Sequence, residues 1–436
     1  MNSFVRIALV TAGIALGVQA VAHAQQPDSV FVISDGGKTV LRLNSDGGFV
    51  VLGEDSVGKI PIEGPGARLM WYPARGAFRA GSLHPVCCYS YWDDDMTGYG
   101  SVALGLYPIA SGDASFGAGR FAKAFGAGSV ALGTLSFTEG DSSISTAFGI
   151  VDKRAAVSIG LDGRARGPYS LFLGYHGQTL DRNATAIGPW TIVEGSYATA
   201  VGSRGNATGS HSIAIGWRAA TNSKTGAIVL ADRCPTSPNT SLQATAQHQF
   251  VVRACRGHKL YTDAALTTGV EVAPGGGSWS SISDVNRKEN FEPLDGEEVL
   301  RQLREVPVMT WNYKTQDASI RHAGPTAQDF YAAFGLGESE QLINTVDIDG
   351  INMAAIKALE ERTARQRERI EALEDEVDRQ RRRIEEPEAE LAEHRRRLEA
   401  LEKRLERLER LESGKSGHTG QAGQAGVARG SGPSNR

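Results

Sequence analysis

Glycine recurs at every seventh position through much of the first half of the chain, and this spacing restricts the fold more than any other feature. The glycines fall at positions 105, 112, 119, 126, 133 and 140, and after a shift of phase at 160, 167, 174, 188, 195, 202, 209 and 216, with Asp181 in the one empty place. Glycine destabilises a helix interior, and collagen requires it at every third residue, so the period excludes both structures. The spacing instead indicates short strands and turns that repeat every seven residues.

The residues between these glycines alternate between large and small side chains. Examples are Ser129-Val130-Ala131-Leu132, Ala156-Val157-Ser158-Ile159, Ala198-Thr199-Ala200-Val201 and Ser212-Ile213-Ala214-Ile215. Alternation with a period of two is typical of β-strands, with Val, Leu and Ile on one face and Ala and Ser on the other. Two strands and two turns per fourteen residues predict one coil of a β-solenoid. We expect the large face inside and the small face towards neighbouring coils or subunits, with many coils stacked to bury the core.

These S-x-A-x-G repeats, over residues 99–232, resemble the head of trimeric autotransporter adhesins. The resemblance implies a left-handed parallel β-roll in which three chains lie side by side. On either side of the repeats the sequence also indicates β structure. Asp-Gly-Gly turns at 35–37 and 46–48 separate short apolar runs and predict β-hairpins, and residues 233–282 are a β connector with a glycine run at 275–277.

The stretch S-D-V-N-R-K-E-N, residues 283–290, places a serine five residues before a lysine. Serine attacks an acyl carbon only when a base takes its proton, and lysine is a base only when neutral. Lowering the pKa of a lysine from about 10.4 to near 7 costs roughly 4–5 kcal/mol, through burial or a like charge such as Arg287. A spacing of five separates the two side chains on a helix or a strand. The pair therefore needs a turn, or the lysine of another subunit.

With W-N-Y-K at 311–314 and R-H-A-G-P-T-A-Q-D-F at 321–330, the segment from about Ser281 to Arg362 resembles the endosialidase-type intramolecular chaperone. This domain stands at the C-terminus of phage tail spikes and of some secreted bacterial proteins. The resemblance implies that it trimerises the upstream fibre and then cuts itself off just before the serine, between Ile282 and Ser283. In this sequence the family pattern departs at one place, because Asn286 stands where the family usually has arginine, and the arginine is Arg287.

The resemblance assigns roles to particular residues of this chain. The catalytic pair is Ser283, the nucleophile, and Lys288, its base or an aid to an N→O acyl shift. The supporting residues are Asp284, Asn286, Arg287, His322 and Gln328. A hydrogen-bonded structural role is the alternative for His322. The residue pattern predicts mixed α/β structure here, with a helix over Glu297–Glu305, a strand over Val306–Tyr313 and a short helix over Ala327–Phe334.

Heptads run from Ile356 to Leu408 and predict a coiled coil. The a positions are Ile356, Thr363, Ile370, Val377, Ile384, Leu391, Leu398 and Leu405, and the d positions are Leu359, Gln366, Leu373, Gln380, Pro387, His394, Leu401 and Leu408. Isoleucine at a with leucine at d favours dimers by itself, so the expectation of three strands rests on the resemblances. We expect Pro387 to kink or interrupt the helix.

Residues 1–24 read as a secretory signal peptide with an Ala-His-Ala cleavage site, so the mature chain is expected to begin near Gln25. In an oxidising compartment the sequence predicts a Cys234–Cys255 disulfide. Cys87 and Cys88 are interpreted as buried small hydrophobes or as a vicinal pair. The cysteines lack metal-ligand spacing, and a formal charge of −4 gives no bias towards polyanions. We therefore expect no metal, no cofactor and no nucleic-acid partner.

The sequence thus predicts a mainly β fibre, a trimeric β-roll of 14-residue repeats, followed by a small α/β chaperone domain and a coiled coil. The predicted segments are a signal peptide (1–24), a β-hairpin domain (25–98), the roll (99–232), the connector (233–282), the chaperone (283–355), the coiled coil (356–412) and a disordered tail (413–436). The favoured function is a secreted or cell-surface homotrimeric fibre with a single-turnover, self-cleaving serine peptidase. The partner is a further copy of the chain, with a host surface or glycan as ligand and no membrane span after signal removal. A fibre that retains an uncut trimerisation module is the alternative, and an enzyme acting on an external polysaccharide is a third reading.

Overall fold

The computed structural model describes residues 29–235 and 239–413, which divide into two compact units. One unit ends at Ser280 and the other begins at Ser281. This boundary lies two residues before the serine that the sequence singles out. The predicted signal peptide (1–24), the predicted mature start near Gln25 and residues 414–436 of the predicted tail lie outside the described residues.

The first unit begins, within the described residues, with an antiparallel sheet of β1 (Ser29–Asp35), β2 (Lys38–Asn44) and β3 (Phe49–Val51). Its turns contain Gly36, Gly37 and Gly47, all at positive φ, a conformation that glycine adopts without strain. A second antiparallel hairpin pairs β4 (Gly66–Tyr72) with β5 (Ala77–Leu83). The hairpins predicted from the Asp-Gly-Gly turns are present.

A run of short strands follows and builds the roll. In chain order they are β6 (Val102–Leu106), β7 (Ile109–Ala110), β8 (Phe116–Arg120), β9 (Lys123–Ala124), β10 (Val130–Leu132), β11 (Phe137–Thr138), β12 (Ile144–Thr146), β13 (Ile150–Val151), β14 (Val157–Leu161), β15 (Arg164–Ala165), β16 (Leu171–Tyr175), β17 (Gln178–Thr179), β18 (Thr185–Ile187), β19 (Ile192–Val193), β20 (Thr199–Ser203), β21 (Asn206–Ala207), β22 (Ile213–Trp217), β23 (Ala219–Ala220), β24 (Ile228–Ala231), β25 (Leu242–Gln243) and β26 (Phe250–Arg253). The even-numbered strands form one parallel sheet, which β5 and β4 extend, and the odd-numbered strands form a second. Val130 pairs with Ile144 and Ala200 with Ala214, so the predicted fourteen-residue coil is confirmed.

Close approach of successive coils accounts for two glycines in each coil. Gly188 directly follows β18 and Gly202 lies near the end of β20, both at positive φ, and a Cβ on Gly188 would overlap the carbonyl of Gly202 in the next coil. At the other corner a Cβ on Gly195 would overlap the carbonyl of Gly209. Both corners therefore favour glycine over residues with a side chain, and the seven-residue period follows from this close packing.

The expectation that the large side chains lie inside the roll is wrong. The inward residues of the even-numbered strands are small and fully buried, among them Ala103, Ala131, Ser145, Ser158, Ala186, Ala200 and Ala214. The large residues point outward, and Ile159 and Ile215 remain 45% and 41% exposed. The physical reason is the narrow interior of the roll. A coil of fourteen residues encloses a space that holds mainly the side chains of Ala, Ser and Thr.

Phe172 shows how narrow this interior is. Its side chain is fully buried, and it is the largest side chain within the roll's principal buried cluster. A Cβ on either Gly163 or Gly177 would overlap the phenyl ring. The ring therefore fits only because two corner residues have no side chain.

The N-terminal end of the roll is closed by polar and aromatic side chains. Arg79, on β5, occupies the inward position that Ala103 takes on the next strand of the sheet, and it is fully buried. Its guanidinium donates to the carbonyls of Ser101 and Ala110 at 2.9 Å, and burial lowers the pKa of Arg79 to about 10. The buried Trp92 donates through Nε1 to the carbonyl of Pro108 at 3.0 Å. These residues cap the stacked core, as a solenoid requires.

After the roll the chain forms β27 (His258–Tyr261) and β28 (Gly269–Val272), which pair antiparallel, and β29 (Ser280–Ser281). Cys234 and Cys255 are joined, with Cα atoms 5.6 Å apart. Cys87 and Cys88 are joined to each other as a vicinal pair, with Cys88 buried and Cys87 exposed. The buried-hydrophobe alternative therefore describes Cys88 only.

The second unit contains α1 (Gly296–Glu305), β30 (Met309–Trp311), β31 (His322–Gly324), α2 (Ala327–Phe334) and α3 (Thr345–Ser413). Its core joins Val299 of α1, Phe330 of α2, and Ile351 and Ala355 of α3. Both predicted short helices are confirmed. The predicted strand is shorter than expected, because only Met309–Trp311 pairs with β31.

Helix α3 presents two different faces. Near its start, Ile351, Ala355 and Ala358 are buried, while Ile356 and Leu359 at the first a and d positions are exposed. The apolar a and d residues further along are also exposed in the single chain. The helix continues through Pro387, so the expected interruption is wrong. Proline removes one backbone hydrogen bond, and the surrounding Glu, Arg, Leu and Ala favour the helix on both sides.

The narrow interior leads to a prediction about two adjacent residues. Replacing the inward Ala200 with leucine should destabilise the roll by about 1–3 kcal/mol or more, because the interior cannot accept the added volume. Replacing the neighbouring outward Thr199 with leucine is the matched control and should have little effect on folding of one chain. Thermal unfolding followed by circular dichroism compares them, and equal transitions would contradict the inward assignment.

The Cys234–Cys255 pairing is a prediction for the exported protein. It closes a loop with a sequence separation of 21 residues, which stabilises the connector by roughly 3 kcal/mol in the chain-entropy model. Peptide mapping without reductant should recover the two cysteines in one linked pair. Recovery of both as free thiols would end this assignment.

Candidate functional site

A tight turn brings the predicted serine and lysine together within one chain. Residues Val285–Arg287 form a single turn of 3-10 helix between Ser283 and Lys288. Lys288 Nζ lies 2.6 Å from Ser283 Oγ and donates a hydrogen bond to it. Of the two possibilities that the spacing left open, the structure has the turn and needs no second subunit to form the contact.

Asp284 holds this turn as its N-cap. Its carboxylate accepts hydrogen bonds from the backbone N–H of Asn286 at 3.0 Å and from the Asn286 side-chain amide at 2.9 Å. Backbone bonds from Arg287 to the Asp284 carbonyl and from Lys288 to the Val285 carbonyl complete the turn. The backbone and side-chain N–H groups of Asn286, and then the charge of Arg287, hold the pKa of Asp284 below its ordinary value.

Asn286, the departure from the family pattern, therefore has a visible structural role. Its side-chain amide donates to the same carboxylate oxygen that its own backbone N–H reaches. Arginine at this position would offer a longer, charged donor, whereas asparagine makes a short neutral contact. The supporting roles of Asp284 and Asn286 are thus local, since both position the turn between serine and lysine.

The dyad and its proposed cleavage bond are open to solvent in the single chain. Ile282 is 37% exposed, and Ser283 and Lys288 are both exposed. Among the described residues, Lys288 is the only side chain that hydrogen-bonds Ser283 Oγ. Burial or a close like charge would favour a neutral lysine. In the single chain the dyad is not buried, and Arg287, which lies in the turn, is also exposed.

His322 and Gln328 are placed elsewhere in the second unit. His322 lies on β31 opposite Trp311, with its ring 4.9 Å from the indole and 5.6 Å from Tyr313. Its Nε2 lies 2.9 Å from Gln316 Oε1, so its hydrogen bond goes to glutamine and not to serine. Gln328 is exposed on α2. These contacts favour the structural alternative for His322, and its catalytic support, like that of Gln328, stays a prediction.

The sequence reasoning missed the contacts that fix the chaperone fold against α3. Gly296 begins α1 where an added Cβ would contact the Ala358 side chain, and Glu297 forms ion pairs with Arg362 and Arg365. Alanines at 354, 355 and 358 are the signal that could have revealed this close approach, because small residues let two helices come together. A heptad reading alone hides it, since it follows only the a and d face.

Metal-binding clusters and membrane-spanning helices are both absent from the part of the chain that the structure describes. No group of three or more His, Cys, Asp or Glu side chains there could hold a metal ion. Residues 29–235 and 239–413 also include no helix with the length and apolar character to cross a membrane.

Comparison with known protein families agrees with this arrangement. Residues 283–335 match the family model described as the chaperone of endosialidase. Residues 110–136, 182–204 and 206–222 match the YadA head domain repeat. No curated protein matches the chain. The two resemblances are thereby confirmed, in the order along the chain that the sequence predicts, and the chain combines adhesin-type head repeats with a chaperone-type domain.

The cap at Asp284 gives a prediction about the order of the turn. Replacing Asp284 with alanine should increase backbone motion over residues 283–288, whereas asparagine, which keeps an acceptor oxygen, should preserve more of the order. Order in the wild type should be complete above the ordinary aspartate range and fall as pH drops through the lowered pKa of Asp284. Amide relaxation measured by NMR on the segment 281–436 reports both effects. Unchanged relaxation in Asp284→Ala would show that the cap does not hold the turn.

Proposed function

We propose that the chain is an exported, homotrimeric fibre whose C-terminal domain guides assembly and then releases itself by cutting between Ile282 and Ser283. The observation that carries this proposal is the 2.6 Å contact of Ser283 with Lys288 at the start of the chaperone-family segment. The head repeats upstream supply the part to be assembled. Their adhesin character supports a location at the cell surface or outside the cell.

Assembly into a trimer follows from the outward face of the roll. Two rows of large residues run along the even-numbered strands, and their members include Val130, Leu132, Ile144, Val157, Ile159, Leu171, Leu173, Ile213 and Ile215. Most of these side chains are half-buried and Ile159 and Ile215 are exposed, and burial of apolar surface between chains stabilises by about 25 cal/mol per Å². Two further copies of the chain are the occupants that the head repeats imply.

The C-terminal helix offers a second surface for the same partners. Residues Ile370, Leu373, Val377, Ile384 and Leu391 are each more than half exposed, and they share the a and d face of α3. This spacing buries the side chains only when helices pair along the seam. The face that contacts the chaperone core is separate from it, so three helices can associate while each chaperone domain stays folded.

The cleavage step uses the serine and lysine in defined roles. Ser283 Oγ attacks the carbonyl carbon of Ile282 while the neutral amine of Lys288 accepts the hydroxyl proton. The bond from that carbon to the Ser283 nitrogen breaks, the nitrogen takes up a proton, and the acyl group becomes an ester on Oγ. Water then hydrolyses the ester, which leaves a carboxylate on Ile282 and restores the hydroxyl.

Assembly is proposed to switch this reaction on. In the single chain Lys288 is exposed and donates a hydrogen bond to Ser283, whereas the reaction needs its amine as an acceptor. Burial of the turn at a contact between chains would disfavour the charged ammonium and leave more neutral amine. Cutting after assembly would leave a kinetically stable trimer, because the template that could aid unfolding has been released.

A retained, uncut chaperone is the second candidate, and Asn286 favours it. The family usually has arginine there, whose cation could help to keep the neighbouring lysine neutral. Asparagine holds the turn but supplies no charge. In that case the domain would remain as a trimerisation module. A host surface or glycan is proposed as the ligand of the fibre in either form.

Substitutions in the dyad separate the two candidates. The exported wild type should appear as two pieces that end at Ile282 and begin at Ser283, as read by intact mass. Ser283→Ala should give one full-length chain that still forms trimers, since assembly needs the fold and not the nucleophile. Lys288→Ala should slow cutting by orders of magnitude and leave assembly intact, and Lys314→Ala, an exposed lysine outside the turn, is the matched control.

The outcome also tests the order of events. Cutting should follow trimer formation in time, should not accelerate with added protease, and should be absent from newly folded chains kept too dilute to meet before they assemble. If wild type and Ser283→Ala both run as one intact chain, the retained module is correct and self-cleavage is excluded.

A further inference from the structure

The flanks of the a and d seam on α3 carry charges in an ordered pattern. The e positions are 360, 367, 374, 381, 388, 395, 402 and 409, and the g positions are 355, 362, 369, 376, 383, 390, 397 and 404. We infer that the charges at e and g set the register in which copies of this chain pair, by rejecting a slip of one heptad. This inference rests on the proposed assembly of α3 with other copies of itself.

In a parallel coiled coil, a g residue faces the e residue of the following heptad on the neighbouring helix. With the chains aligned, six consecutive contacts of this kind join opposite charges. They are Arg369–Glu374, Glu376–Arg381, Arg383–Glu388, Glu390–Arg395, Arg397–Glu402 and Arg404–Glu409. Each of these six contacts is attractive, so the flanks from Arg369 onward favour the aligned, parallel pairing of identical chains; the preceding contact, Arg362–Arg367, joins like charges, and Arg362 is there paired with Glu297 of its own chain.

The direction of the charge alternates from one heptad to the next over most of this stretch, and this alternation selects the register. If one chain slips by one heptad, four of the five remaining contacts join like charges. They are Arg369–Arg381, Glu376–Glu388, Arg383–Arg395 and Glu390–Glu402, and only Arg397–Glu409 stays attractive. If every g residue had one charge and every e residue the opposite charge, the contacts would remain attractive after a slip of one heptad. The alternation of charge from heptad to heptad is therefore what disfavours the slip.

The charges are free to meet a partner. Of the twelve residues in the six aligned contacts, only Glu376 and Arg397 make a hydrogen bond or ion pair within the described part of the chain. Glu376 binds Arg379 and Gln380, and Arg397 binds Glu393, all on exposed helix surface. Such exposed pairs are weak and can be exchanged or shared on assembly. The other ten side chains have no such partner on their own helix.

A register device is needed because the apolar surfaces repeat. The a positions from Ile370 to Leu405 are all Ile, Val or Leu, so a slip of one heptad still places apolar residues together. A slip of this length is about 10.5 Å along a helix, close to two strand spacings of about 4.8 Å. The outward rows of the roll repeat at every strand, so they also pair acceptably when shifted. The a row and the outward rows of the roll therefore select no alignment by themselves, and Gln380, Pro387 and His394 leave the d row without a continuous apolar repeat.

Two heptads of slip would restore attraction at three of four remaining contacts, Arg369–Glu388, Glu376–Arg395 and Arg383–Glu402. That shift, however, leaves two heptads of the apolar seam unpaired at each end. The charges therefore act against the single-heptad slip, which loses the least apolar contact. A slip repeated at all three interfaces cannot close into a ring and would give open, staggered assemblies.

The test exchanges charges without changing the seam or the net charge. The e-exchange variant carries Arg381→Glu, Glu388→Arg, Arg395→Glu and Glu402→Arg, which makes the four altered aligned contacts repulsive and all five slipped contacts attractive. The compensated variant adds Glu376→Arg, Arg383→Glu, Glu390→Arg and Arg397→Glu, which restores attraction in the aligned register. All variants are made in the full-length Ser283→Ala protein, so that α3 stays attached whether or not the wild type cuts.

Sedimentation and pulsed EPR read the register directly. A spin label is placed at the outward f position by Ala389→Cys, since the cysteines of the described residues are paired. The parent and compensated proteins should sediment as one closed trimer with one short label distance. The e-exchange variant should give broad, larger or dissociated species, with label separations lengthened by a stagger of about 10.5 Å.

Closed trimers with the same label distance in all three proteins would overturn the inference and leave the proposed assembly standing. A monomeric parent protein would overturn both. Failure of the compensated variant to recover the parent's distance would show that helix propensity, and not charge pairing, caused the change, and would also overturn it.

Discussion

The close approach of successive coils in the roll is the constraint on which the rest of the structure depends. Backbone lies close to backbone at both corners of a coil, so glycine is favoured there, although Asp181 and Lys224 take its place in single coils. The interior of a fourteen-residue coil holds mainly Ala, Ser and Thr, with a few larger residues such as Ile109, Val151 and Val193, and it holds Phe172 only where two glycines make space. The large residues of each strand are thereby placed on the outside. A single chain of this kind is an incomplete structure.

The second unit is incomplete in a comparable way. Its short helices and the start of α3 share a core, yet the a and d face of the same helix remains uncovered. The serine–lysine pair is preformed by a capped turn but is exposed to solvent. The outward face of the roll, the a and d face of α3 and the Ser283–Lys288 turn are all at least partly exposed in the single chain. Contacts with further copies of the chain can bury all three. This common requirement links assembly to cleavage in the proposed function.

The sequence allowed much of this to be predicted, for identifiable reasons. Glycine spacing and strand alternation are local signals that predicted the coil length, and the resemblance to adhesin heads implied the parallel sheets. Ser283 and Lys288 were found by their spacing within a family motif, and the turn that joins them was one of two stated possibilities. The prediction that the large side chains of the roll's strands point inward was wrong. Alternation shows that the two faces of a strand differ, but it does not show which face the coil encloses. That choice depends on the width of a closed coil. His322 was placed near the serine by motif order, whereas its contacts with Trp311 and Gln316 depend on strand pairing.

The most direct test of the account is the mass of the exported protein in solution, measured by sedimentation equilibrium over a wide range of concentration. The account predicts an assembly of three head-repeat chains that does not dissociate on dilution, because the outward rows are buried between copies. A single species with the mass of one chain, soluble and folded with those rows exposed, would contradict it.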